Sequence, residues 1–250
     1  MMQISGFEYA QVRLQARYGQ RASESVWARL EAEKDFQSYL ETARTTVLAP
    51  WVANLSANSD NHDVEHSVRG TLYTTIHEVA HWLPKNWAPA VLWLQWLVYL
   101  PALRYLLADG SVRPWMAEGH RLRPFIDGPA MARANAVVAG GGAPLVAAWR
   151  TQCSMLEAWT TAWHASWPLE GAVYADTLDA LATLIAKHVS HFHEVTLEGA
   201  WSARHALSEQ LRWRFRRHAM TPTPAFAYLA LLALDLERLR GALVKRVLFP

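Results

Sequence analysis

Apolar residues recur at steps of three and four positions along much of the chain, most clearly between residues 63 and 83. Because an α-helix has about 3.6 residues per turn, side chains at these steps share one helical face. We therefore predict a helix over residues 63–83. Its buried stripe would consist of Val64, Val68, Leu72, Ile76, Val79 and Leu83.

A second long helix is predicted near the end of the chain. Thr223 suits an N-cap, and Pro224 suits the first helical position because it has no N–H to leave unpaired. The apolar stripe of this helix would consist of Leu229, Leu232, Leu236, Leu239 and Leu243. Shorter helices are predicted over residues 8–18, closed by Gly19, and over residues 25–33 and 35–45. No segment shows the sustained alternation of a strand, so the predicted fold is all-α, with two or three packed helical lobes and no significant sheet.

Two segments interrupt the helical pattern. Residues 56–63 are polar and are predicted to form a loop, while Gly140, Gly141, Gly142 and Pro144 break a run of small residues in mid-chain. We predict a hinge at residues 140–144 between lobes formed by residues 1–139 and 145–250, with one continuous domain as the alternative. The glycines do not form a phosphate-binding loop, because no Lys-Ser or Lys-Thr pair follows and no strand is predicted before them.

Composition narrows the class of protein. The chain has 250 residues, of which 52% are hydrophobic and 18% charged, so it can bury a substantial core. The chain has a single cysteine, Cys153, so it cannot form an internal disulfide, which fits a reducing compartment. We predict that Cys153 is a small residue of the core. The formal charge of +2 does not favour a nucleic-acid-binding protein. No secretory signal is expected at the start, which favours the cytoplasm.

One stretch, residues 86–103, carries no charged side chain and approaches the length of a membrane span. Pro89, Gln95 and Pro101 interrupt it, and its apolar part falls short of the roughly 20 residues that a span needs. We therefore predict a buried or protein-docking helix for this stretch.

The sharpest motif is His77-Glu78-Val79-Ala80-His81. Histidines four residues apart on a helix can both bind zinc, and the glutamate between them can activate a zinc-bound water, so a zinc hydrolase is one hypothesis. Against it, Pro84 and Trp87 occupy the positions where an extended motif would have glycine and a third histidine, and only Glu118 and His120 are candidates for a third ligand. We predict that His77, Glu78 and His81 are structural and that the protein needs no metal or other cofactor.

Other histidines form two groups. His62 and His66 lie one helical turn apart, and a second group consists of His188, His191 and His193 beside Glu194. Neither group has four ligands at a recognisable spacing, so we predict that both are polar helix faces.

The best candidate for binding a partner is the basic run at residues 212–218. The helical stripe through Leu207, Leu211 and Phe215 would face inward. This leaves Arg212, Arg214, Arg216 and Arg217 outside, together with Trp213. Such a surface is typical of a solvated helix face, and it also suits an acidic protein partner, with nucleic acid or anionic lipid as further alternatives.

Both ends of the chain resemble one family. Residues 7–17, FEYAQVRLQAR, resemble the opening helix of the C subunit of V-type ATPases, the relative of the eukaryotic d subunit, with a tyrosine before spaced arginines. Residues 228–240, YLALLALDLERLR, followed by Lys245, resemble the C-terminal helix of that family, with its acidic residue and Leu-Arg pair. The resemblance covers about a quarter of the chain.

The resemblance implies a non-catalytic subunit that couples the central stalk of a rotary ATPase to the membrane ring of proteolipid subunits. It further implies that the partners are other ATPase subunits, and that the protein is cytoplasmic and peripheral at the inner face of the membrane. The family usually builds three helical lobes, so this short chain implies a reduced or missing lobe. The alternatives are the zinc hydrolase and an unrelated helical adaptor between proteins.

Overall fold

The computed structural model describes residues 6–119, 121–192 and 197–249, with the backbone alone at residues 189–192, 197, 198, 200 and 201. No strand occurs within these ranges, and the all-α prediction is confirmed. The helices are α1 Glu8–Gly19, α2 Glu24–Ala32, α3 Phe36–Arg44, α4 Ala49–Val52, α5 Asn61–Trp82, α6 Ala88–Leu107, α7 Pro114–Glu118, α8 Ala130–Val137, α9 Ala143–Arg150, α10 Met155–Ala165, α11 Ala175–Phe192, α12 Leu197–Arg217 and α13 Thr223–Leu248. Short 3₁₀ turns occur at Lys85–Trp87, Arg123–Phe125 and Leu169–Tyr174, and a π-helical turn at Val138–Gly142.

Side-chain caps explain where several helices begin. The Asp35 carboxylate accepts a hydrogen bond of 2.8 Å from the backbone N–H of Ser38 at the start of α3. Asp60 in the same way accepts from His62 at 2.7 Å and from Asp63 at 3.0 Å, so α5 begins two residues before the predicted start at 63. These backbone donors hold the pKa of both aspartates below its usual range.

The helix predicted from Thr223 is present, with a different role for the threonine. α13 begins at Thr223 itself, whose hydroxyl is buried and lies 3.1 Å from the hydroxyl of Thr177. The hydroxyl therefore joins α13 to α11.

Cys153 differs from its prediction, because it is exposed rather than part of the core. Cys153 lies in the loop after α9. The preceding residue, Gln152, has a positive φ of 55°, which changes the direction of the chain after the helix.

The chain divides into two compact units, each made of segments that are far apart in sequence. Unit 1 comprises Met1–Arg21, Thr75–Val91 and Trp167–Leu239, and unit 2 comprises Ala22–Thr74, Leu92–Ser166 and Arg240–Pro250. The lobe boundary predicted at residues 140–144 falls within unit 2.

Aromatic rings form the core of unit 1. Trp87 lies at the centre, with ring centroids 6.3 Å from Phe7, 6.1 Å from Tyr174 and 6.4 Å from Phe226, all in edge-on arrangements. The backbone of Gly171 lies close to Trp87: a Cβ added at Gly171 would lie 3.1 Å from the indole ring. α1, the turn before α6, the turn before α11 and α13 thus share one apolar cluster.

Unit 2 combines aromatic packing with a buried arginine, Arg246. The indoles of Trp93 and Trp159 each donate to the backbone carbonyl of the other, at 2.9 and 3.2 Å, and join α6 to α10. Arg246 donates to the carbonyl of Glu33 at 3.0 Å, and its guanidinium lies 4.4 Å from the Tyr39 ring centre. The end of α13 is thereby tied to α3 and to the residue after α2.

Two of the three consecutive glycines, Gly140 and Gly142, pack close to aromatic rings. A Cβ on Gly140 would lie 2.7 Å from Phe125, and a Cβ on Gly142 would lie 2.6 Å from Val137 and 3.0 Å from Trp96. Gly141 has a φ of 91°, a backbone conformation that residues other than glycine rarely adopt. These glycines therefore permit both a π-helical turn and a close approach of that turn to the aromatic side chains.

The uncharged stretch forms most of α6, with Pro101 inside the helix. Within the described part of the chain, residues Lys85–Leu107 alone are long and apolar enough to cross a membrane by length and composition, with a mean hydropathy of 1.4. Of the apolar window, 44% is buried inside the chain. A core helix passes the same test, so the choice of a buried or docking helix stays a prediction.

Candidate partner-binding face

The predicted partner-binding residues lie on α12, which is held in unit 1 by its apolar stripe. Leu207, Leu211 and Phe215 are buried, which confirms the predicted inward stripe. Phe215 stacks on Tyr18 of α1 with ring centroids 4.4 Å apart. The direction of the opposite face of α12 is therefore set by aromatic packing against α1.

Trp213, Arg216 and Arg217 form an exposed cluster on this opposite face, which we call the arginine face. Trp213 is 48% exposed, and the two arginines are exposed as well. The Arg217 guanidinium lies 5.2 Å from the Trp213 ring centre, close enough for a cation–π interaction. Among the described residues no carboxylate forms an ion pair with Arg216 or Arg217. Their charges are available to a partner.

Arg212 and Arg214 are half-buried and bind within unit 1. Arg212 donates to the Glu209 carboxylate at 2.7 Å, and Arg214 donates to the carbonyl of Ala180 at 3.4 Å. Burial and the charges of Arg217 and Arg214 lower the pKa of the neighbouring His218. The structure therefore brings all the predicted arginines together on α12, while Arg216 and Arg217 are the most accessible of them.

A buried ion pair that the sequence reasoning missed lies between the first and last long segments of unit 1. Arg21 donates to both carboxylate oxygens of Asp235, at 2.7 and 2.8 Å, and both side chains are only 10% exposed. Burial raises the pKa of the Asp235 carboxyl, although the Arg21 hydrogen bonds and charge act in the opposite direction. The available signal was an aspartate inside the leucine-rich pattern of α13.

The zinc-motif residues lie at the end of α5, in unit 1. His77 and His81 are exposed, whereas Val79 and Ile76 are buried as predicted. Glu78 accepts a hydrogen bond of 3.1 Å from Arg17, whose guanidinium also lies 5.9 Å from the Trp82 ring centre. The glutamate that would activate a zinc-bound water is therefore engaged by an arginine.

The other candidate metal ligands do not converge in the described part of the chain. No group of three or more histidine, cysteine, aspartate or glutamate side chains that could hold a metal ion occurs there. His120, His193, Glu194 and the side chain of His191 lie outside the described residues. His62 and His66 stand in the first turns of α5, half-buried, and His188 is half-buried on α11.

We expect the purified protein to carry well below one zinc ion per chain, because two histidines with a glutamate bound by arginine form an incomplete site. Metal analysis by inductively coupled plasma mass spectrometry, after expression with added zinc and after dialysis against a weak chelator, measures this. A stoichiometric zinc ion that the double change His77→Ala and His81→Ala removes would contradict the expectation and support the hydrolase hypothesis.

The arrangement as a whole is suited to binding. It offers accessible guanidinium groups beside an exposed indole, a combination common at protein interfaces. The face stands on a helix that is packed against α1. No family model, curated protein or solved structure matches the chain.

Proposed function

We propose that this protein is a non-catalytic subunit of a V-type rotary ATPase that couples the central stalk to the membrane ring of proteolipid subunits. The observation that carries the proposal is the junction of α1 with α13 in unit 1. These two helices hold the segments that resemble the C subunit of V-type ATPases, and the Arg21–Asp235 pair joins the end of α1 to α13. The two resembling segments thus belong to one structural element rather than to separate parts of the chain.

Further contacts make this junction stiff. The Gln11 side chain is buried on α1 and accepts a hydrogen bond of 3.1 Å from the backbone N–H of Met220, in the turn between α12 and α13. Phe7 and Phe226 both belong to the aromatic cluster around Trp87. Close-packed interiors deform little, so a body held in this way is suited to transmit force between two partners.

The arginine face supplies a surface for one of these partners. Arginine forms forked hydrogen bonds with carboxylates, and an adjacent tryptophan adds contact area at low conformational cost. Because Arg216 and Arg217 are accessible beside Trp213, an acidic surface on another subunit would bind here. Charged pairs of this kind influence the rate and specificity of association more than the stability of the fold.

An unrelated adaptor would use the same face with other partners, so the identity of the partners decides between the two functions. We expect affinity purification of the tagged full chain from gently solubilised native membranes to recover subunits of a rotary ATPase. Recovery of a set of soluble proteins that contains no ATPase subunit would favour the adaptor instead.

A charge-reversed variant tests the arginine face in the same experiment. Changing Arg216 and Arg217 together to glutamate should reduce recovery of the ATPase subunits at least tenfold, because it replaces attraction with repulsion and loses more than about 1.4 kcal/mol of binding free energy. The double change of Lys34 and Lys187 to glutamate is the matched control, since both lysines are exposed and the net charge changes equally. Equal recovery with both variants would exclude the arginine face as the contact.

A further inference from the structure

Unit 2 contains an open pocket that has no part in the proposed coupling function. Its volume is about 380 Å³, within the range of sites for small molecules. The pocket lies among the end of α8, the π-helical turn that follows it and the 3₁₀ turn before α8. Its lining residues are Tyr73, Arg121, Pro124, Phe125, Ala136, Ala139 and Gly140.

Arg121 is the one cation among these lining residues, and aromatic rings hold it in place. Its guanidinium lies 3.9 Å from the Trp96 ring centre and 5.8 Å from that of Phe125. The Nε atom is buried and has no hydrogen-bond partner. A buried donor of this kind is uncommon, since nearly all buried polar atoms in proteins are paired.

The charge of Arg121 is also uncompensated within the described residues. Burial lowers the pKa of its guanidinium, and the side chains that act in the opposite direction are the phenols of Tyr73 and Tyr99 rather than carboxylates. A guanidinium that lies over an aromatic ring but lacks a carboxylate is prepared to receive one, because its N–H groups form a rigid fork that matches the carboxylate oxygens.

Small residues create the space next to this arginine. Ala136, Ala139 and Gly140 form one wall, and Gly140 is required there because a Cβ would lie 2.7 Å from Phe125. The other lining side chains besides Arg121 are the aromatic Phe125 and Tyr73 and the apolar Pro124. The pocket therefore offers one cationic group and an otherwise apolar or aromatic surface.

We infer that this pocket binds a small monocarboxylate with an apolar or aromatic body, whose carboxylate pairs with Arg121 and whose body packs against Phe125 and the small-residue wall. A single guanidinium suits a singly charged acid better than a phosphate ester, which carries more charge and needs more donors. The volume accommodates a single ring with a short side chain. This ligand is a free small molecule, distinct from the protein partner of the arginine face.

Phenylacetate is a suitable probe, with phenylacetamide as its neutral counterpart of the same shape. We expect saturation-transfer NMR titrations of the full chain to give a dissociation constant for phenylacetate at least tenfold lower than for phenylacetamide. The change Arg121→Met should weaken phenylacetate binding at least tenfold and leave the fold intact, because it removes an unpaired buried cation. Arg123→Met is the control, since Arg123 is exposed at the start of the 3₁₀ turn that carries Pro124 and Phe125 and does not line the pocket.

A second variant keeps the test independent of the stability of the Arg121 change. Ala136→Leu fills the pocket without altering its charge and should also weaken phenylacetate binding at least tenfold, with an unchanged circular dichroism spectrum. Equal affinity for phenylacetate and phenylacetamide would overturn the inference. So would phenylacetate binding that survives both the Arg121→Met and the Ala136→Leu changes, or an absence of phenylacetate binding at millimolar concentration.

Discussion

Replacing Asp235 with alanine is expected to lower the free energy of unfolding by about 3–5 kcal/mol, the range found when one partner of a buried ion pair is removed. The change leaves the Arg21 guanidinium buried without the carboxylate that now accepts hydrogen bonds of 2.7 and 2.8 Å from it. The expected loss comes from the buried arginine charge that remains without its carboxylate partner. Equilibrium unfolding in urea, followed by far-ultraviolet circular dichroism, measures it.

Glu237 provides the matched control two residues further along α13. Its side chain is 54% exposed and lies 3.6 Å from Arg204. Exposed ion pairs contribute little, so Glu237→Ala should change the free energy of unfolding by less than about 1 kcal/mol. A similar loss for both variants would contradict the buried Arg21–Asp235 junction. The proposed coupling role would then lose the observation that carries it.

The second large effect is expected for Val79→Asp. Val79 is 0% exposed in unit 1, so the change places a carboxylate in an apolar interior and should cost about 4–5 kcal/mol or unfold the unit. The adjacent change Glu78→Gln should cost less than about 1 kcal/mol, because the Glu78 side chain is 40% exposed and its arginine partner is exposed too. The same unfolding measurement compares them.

These neighbouring changes also separate the structural interpretation of the zinc motif from the catalytic one. A stable Val79→Asp protein would show that this face of α5 does not lie in the core. A Glu78→Gln protein that folds normally but loses a peptidase activity sensitive to chelators would support the zinc hydrolase. The structure favours the opposite result for each variant.

The helices themselves could be predicted because each one repeats a local pattern. The apolar stripe predicted over residues 63–83 is buried at Val64, Val68, Ile76, Val79 and Leu83, while Leu72 is half-buried. The same periodicity does not say which helix covers a stripe. The division into units made of distant segments therefore could not be predicted from spacing alone.

Contacts between distant residues were harder to predict for the same reason. Arg21 and Asp235 are 214 positions apart, so nothing local connects them. In the sequence, nothing distinguishes Arg121 from an ordinary charged loop residue. Its stacking on Trp96 arises only because the fold brings α6 beside this loop. The glycines at 140–142 were ambiguous, because glycine serves both flexible linkers and close packing. Here, Gly140 and Gly142 lie against aromatic rings.

The arginine face shows how far helical periodicity can predict a binding surface. Spacing on α12 correctly separated Leu207, Leu211 and Phe215 from the arginines. It could not show that Glu209 and the carbonyl of Ala180 engage Arg212 and Arg214, since the second contact comes from α11. Accessibility within the arginine run depends on neighbouring helices as well as on the helix that carries it.

The proposed coupling role is tested most directly by ATP-driven ion transport in membrane vesicles from cells that lack this chain. The transmembrane potential generated on addition of ATP, followed with a potential-sensitive dye, reports transport without knowledge of the ion. If the chain joins the central stalk to the proteolipid ring, vesicles without it should generate no ATP-driven potential through the V-type ATPase. Expression of the wild-type chain should restore the potential, and the Arg216→Glu, Arg217→Glu variant should not. An ATP-driven potential of undiminished size in vesicles that contain the V-type ATPase but lack this chain would contradict the account.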